Sequence, residues 1–141
     1  MTRVIRNILV AFGAFYLSLW TAPLFSWPFD KLNHRFTYTT ESLLSAVMMG
    51  MMISMGRAVS AIFAAAIVRV TADSETPERW AYIVAVLYVA DASVRSIHWK
   101  WNVPPTVWDH LWLGVDRLFP AFACVIGAIV IAQYRRKKAS F

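Results

Sequence analysis

The chain has one cysteine, five glycines and few charged residues, and each shortage excludes something. A lone thiol, Cys124, can form neither an internal disulfide nor a cysteine-based metal cluster. It lies in the apolar stretch 121–132 and reads as a small packing residue. The glycines fall in or beside apolar runs, so no glycine-rich loop is present to cradle a phosphate. There is no G-x-S-x-G elbow, and no serine stands beside a lysine or histidine base. An enzyme is not expected. Charged residues make up 16% of the 141, against about 25% in an ordinary soluble domain. No stretch is long and polar enough to fold outside a membrane; the longest candidates are the linkers 26–41 and 100–112. A single membrane domain over 1–141 is the economical reading.

What the chain does have is apolar length, with 59% of its residues hydrophobic. Leu43 to Val68 is interrupted by one charge, Arg57, and Ala81 to Trp99 by Asp91 and Arg95. Runs of this length cross a hydrocarbon core of about 30 Å as helices. Hydropathy and breaker residues predict an all-α integral membrane protein with helices at about 5–25, 41–70, 81–99 and 107–134. The first is expected to stop at Pro23 or at the Trp27-Pro28 step. Thr40 is the expected N-cap of the second, and Thr76 with Pro77 starts the third. Thr106, with Asp109 three residues later, caps the fourth. Within that fourth helix, 107–118 is amphipathic, and Pro120 is expected to break or kink it, leaving an interfacial or tilted segment that leads into the last span. Arg3 and Arg6 before an apolar run resemble a signal peptide, but no A-x-A site follows, so the run reads as an uncleaved helix.

The formal charge of +6 taken alone suits nucleic acid, but its placement does not. Arg3 and Arg6 precede the first span, and the basic tail Arg135, Arg136, Lys137 and Lys138 follows the last. That is the positive-inside pattern, and it predicts both termini in the cytoplasm of a bacterial inner membrane. Trp99, Trp101, Trp108 and Trp112 then mark the outer interface, where indoles favour the headgroup boundary.

Ionisable groups inside spans cost roughly 2.5–3.5 kcal/mol each and face a bundle interior or a water-filled cavity. Arg57 and Asp91 are expected at similar depth on neighbouring antiparallel helices, with Arg95 one turn from Asp91 and able to reach the same carboxylate. This charge network either lines an ion or proton path or locks helices together. Ala46, Gly50, Ser54 and Ala58, each four apart, form a stripe for close helix packing within one subunit or between subunits. The methionines at 48, 49, 51, 52 and 55 wrap around their helix, which suits packing better than copper binding. His34, His98 and His110 lack metal-ligand spacing, so neither metal nor haem nor any other cofactor is expected.

Three function classes follow. The first is an oligomeric pore or channel that self-assembles. In architecture alone (short length, several spans, short loops, a basic tail) the chain resembles the holins with which phages permeabilise the inner membrane. The second is an accessory integral subunit of a larger membrane complex. The third, least supported, is a proton-coupled transporter working through Asp91, because a carboxylate between two arginines does not cycle its proton easily. The bilayer is the common partner in all three, with further copies or a host complex beside it.

Overall fold

The computed structural model describes residues 2–33, 42–72, 78–101 and 104–139. They form four helices: α1 Arg3–Asn33, α2 Leu43–Thr71, α3 Glu78–Ile97 and α4 Val107–Ala139, with no strand among the described residues. All four are long and apolar enough to cross a membrane. This is a four-helix membrane protein.

Two predicted breaks do not occur. The first helix runs through Pro23 and Pro28 to Asn33. A proline removes one backbone N–H and crowds the preceding turn, a cost that hydroxyls and neighbouring helices offset inside a span. Here Thr21 Oγ1 donates to the Leu17 carbonyl at 3.0 Å, and Ser26 Oγ donates to that of Ala22 at 2.9 Å. The fourth helix likewise passes through the fully buried Pro120. Residues 107–118 are therefore the first three turns of one 33-residue helix. At 1.5 Å per residue that helix is about 50 Å long.

Local capping sets the starts. At the head of α4, Thr106 N–H donates to Asp109 Oδ2 at 2.8 Å and Asp109 N–H donates back to Thr106 Oγ1 at 3.2 Å, the reciprocal box that the spacing predicts. The second helix begins later than expected, because Ser42 and Ser45 form its capping box through two 3.3 Å bonds. Thr40, Thr76 and Pro77, expected to start α2 and α3, lie outside the described residues. The third helix ends at Ile97, ahead of Trp99.

Close approaches between helices define the topology. Gly50 faces Trp112 and Val115, and Gly127 faces Ile62, so α2 and α4 run parallel. Cys124 Sγ donates to the Ala81 carbonyl, while Arg117 Nη1 donates to that of Ala92 near the other end, so α3 and α4 run antiparallel. The principal neighbours of α2 are α4 and α1, and α3 packs mainly on α4. Around the bundle the order is therefore α1, α2, α4, α3. Next to the termini the clustered core is mostly alanine, including Ala11, Ala14, Ala61, Ala64, Ala65, Ala81 and Ala128. Tyr88 crosses this core and shares a 2.6 Å hydrogen bond with Ser18, while its ring meets Phe15 edge-on at 5.1 Å.

Candidate functional site: an arginine-lined chamber

Arg57 stands at the midpoint of the 29-residue α2, and its partner is Asp116 of α4, not Asp91. The physical reason is the packing order. Because α2 lies along α4 and meets α3 only lightly, the nearest carboxylate to a mid-span arginine comes from the parallel helix. With both side chains mostly buried, at 17% and 9% exposure, this is the more sheltered of the two ion pairs in the cluster.

Asp91 pairs with Arg95 one turn along α3, as their spacing allows, at 27% and 37% exposure. The expected network of Arg57, Asp91 and Arg95 thus divides into two pairs with different partners.

Arg117 completes the cluster. It is 5% exposed and makes no ion pair among the described residues. Its Nη1 donates to the Ala92 carbonyl at 3.3 Å, and its guanidinium lies over the Trp99 ring, 5.3 Å from the centroid. Arg57, Arg95, His98, Trp99, Asp116 and Arg117 line an open cavity of about 340 Å³. Pro120 adds one further feature: lacking an N–H, it leaves the Asp116 carbonyl without its helical donor. A larger groove of about 390 Å³ beside Met51, Leu118 and Phe122 is almost wholly apolar, with His110 among its lining residues.

Above the chamber, Trp99, Trp101 and Trp112 meet edge-on, with ring centroids 5.8 to 6.3 Å apart. His110 packs on Trp101 at 5.5 Å, and Trp108 is half-buried in the first turn of α4. Edge-to-face indoles contribute beyond their buried area, about 0.5–1.5 kcal/mol per pair. They fasten the 98–101 segment onto α4 and hold Trp99 over Arg117.

The small-residue stripe is used inside the chain. Ala46, Gly50, Ser54 and Ala58 are all buried. A Cβ on Gly50 would stand 2.5 Å from the Trp112 carbonyl oxygen, so the helix contact requires glycine there. A face consumed in this way is not free to bind a second subunit. Helical backbone continues through Arg135, Arg136, Lys137 and Lys138, but their side chains lie outside the described residues. Among the described residues, no three His, Cys, Asp or Glu side chains gather as metal ligands.

Asp116 and Arg117 are the residues that sequence reasoning placed elsewhere. Treating Pro120 as a helix breaker put both at the interface; a continuous α4 puts both inside the bundle. The available signal was the apolar run on either side of them, Leu111 to Val115 and Leu118 to Ala132, which reads as one span. Comparison with known protein families, curated proteins and solved structures gives no match for this chain.

Proposed function

We propose that the chain is a small ion-conducting membrane protein that assembles with further copies of itself, and that the charged chamber is its permeation vestibule. The observation that carries this reading is depth. A pair serving only to hold helices together is best sealed by apolar neighbours, whereas this cavity is open and reaches Arg57 at mid-span. Charged side chains at that level either pair or line water, and here two pairs accompany an open cavity. Toward the termini the alanine core around Tyr88 closes the bundle, so a conducting state must part that core. The slight contacts of α3 with α1 and α2 make α3 the element to move. We place both termini in the cytoplasm on the positive-inside pattern, so that the chamber opens on the opposite face.

The test is ion flux through vesicles containing the purified chain. Wild type is expected to conduct, as a particle whose mass is a defined multiple of 16.0 kDa. Arg117→Gln is expected to change conductance or ion selectivity severalfold with that mass unchanged. Vesicles that stay tight with folded protein inserted would overturn the reading. A holin-type pore would in addition leak solutes larger than ions.

The alternative is an accessory role in a larger complex, whose other subunits would cover part of the outward apolar surface. Trp20, Leu24 and Trp27 form an outward stripe along α1, exposed by 83%, 74% and 62%. Other polypeptides at fixed ratio in particles from the native membrane would select that reading.

A further inference from the structure

We infer that the chamber is a binding site for a phosphate-type oxyanion, held by Arg117 and Arg95 with Arg57 behind them. This deepens the vestibule reading by naming its ligand, but binding can be measured without conduction. The walls carry unequal charge. Asp116 is committed to Arg57 and Asp91 to Arg95, which leaves Arg117 as a buried cation without a carboxylate of its own among the described residues. An isolated buried charge is costly, and the usual remedy is a counter-ion or a hydrogen-bonded partner.

The donor geometry indicates which counter-ion fits. A guanidinium carries five N–H donors in a planar fork. Arg117 uses one hydrogen bond, at 3.3 Å, to an Ala92 carbonyl that already accepts from Ser96 Oγ at 2.8 Å. Trp99 covers one face of the plane, which orients the fork and leaves its edge free. Arg95, also in the cavity wall, gives Nη2 to Asp91 and has its Nε closed off from the cavity. The planar fork of Arg117, with the positive charge of Arg95 beside it, suits an oxyanion with several acceptor oxygens better than a spherical halide. At about 340 Å³ the cavity has room for such an ion with some of its hydration, given about 30 Å³ per water. The Asp116 carboxylate also lines the cavity, but its charge is met by Arg57, so the anion sits on the Arg117–Arg95 side. The same chemistry is offered by free phosphate from the water and by the phosphate diester of an anionic lipid.

The full chain in lipid-free maltoside micelles separates these sources. Tryptophan fluorescence, sensitive to Trp99 over Arg117, is followed during titration with inorganic phosphate at constant ionic strength, with chloride as control. In parallel, phosphatidylglycerol is added and its retention per chain is read by native mass spectrometry. Saturation by phosphate assigns the site to a free ion, and retention of about one phosphatidylglycerol without phosphate saturation assigns it to a headgroup. Either supports the proposal if Arg117→Gln weakens binding by about tenfold or more. Because Arg117 is buried, Arg95→Gln repeats the test at a more exposed position, with helicity checked by circular dichroism. No saturable binding of either ligand to folded wild type, or wild-type affinity in both variants, would overturn it.

Discussion

Toward the termini the four helices meet through Ala11, Ala14, Ala61, Ala65, Ala81 and Ala128, all buried. Toward the α3–α4 connection they meet through Arg57, Asp116 and Arg117, also largely buried. In the first region the clustered core is uncharged, Arg69 in the last turn of α2 being its buried charge among the described residues, and the packing depends on close backbone approach, because small side chains let helices touch without an aqueous gap. The second keeps its helices together with long side chains, and long side chains leave space: the open chamber of about 340 Å³ is there. A bundle of this size is thus closely packed at one end and open at the other, and the open end carries the charged side chains.

The largest expected effect lies in the charged region. Asp116→Leu strands the Arg57 guanidinium and is expected to cost about 3–5 kcal/mol, whereas Arg57→Met with Asp116→Leu recovers most of it. Unfolding in denaturing detergent, followed by circular dichroism, measures both. If the double variant is no better than the single one, the pair is not the unit described here.

The tightly packed helix contacts come next. A Cβ on Gly56 would stand 2.5 Å from the backbone nitrogen of Ser26, so Gly56→Ala pushes α1 away from α2. A loss of about 3 kcal/mol is expected in the same assay. Gly13→Ala and Gly114→Ala, with nothing within 4 Å of the new methyl, are expected to be neutral or to stabilise by up to about 1 kcal/mol. Equal effects at all of these glycines would remove the claim that close approach, and not helix propensity, decides these positions.

Within the apolar core, Tyr88→Phe keeps the ring contact with Phe15 and deletes only the hydrogen bond to Ser18. A loss of about 1 kcal/mol is expected. Smallest of all is Asp91→Asn, since its partner lies one turn away on the same helix and both side chains are partly exposed. About 0.3–0.5 kcal/mol is expected. A loss at Asp91 as large as that at Asp116 would reverse the assignment of the principal ion pair.

Some of these features were legible in advance for local reasons. The Thr106–Asp109 cap acts within one turn, and the Asp91–Arg95 contact spans four residues, so spacing alone predicts both. The start of α2 was misplaced because Thr40 and Ser42 are both acceptable caps, and the second offers the partner Ser45. The end of α1 was misread, and the break allowed at Pro120 does not occur, for one reason. A proline rule calibrated on water-exposed helices underestimates how an apolar span retains its hydrogen bonds when no water competes for them.

From its sequence alone this protein is a four-helix membrane bundle, because each span must satisfy its own backbone and hydropathy records that need residue by residue. Mid-span charges and a small-residue stripe were equally visible. Which carboxylate answers Arg57 was decided only by tertiary structure: α2 chose the parallel α4 over the neighbouring α3, and an unbroken Pro120 carried Asp116 and Arg117 into the interior. Helix partnership depends on the fit of surfaces far apart in the chain, and no spacing within one helix encodes it.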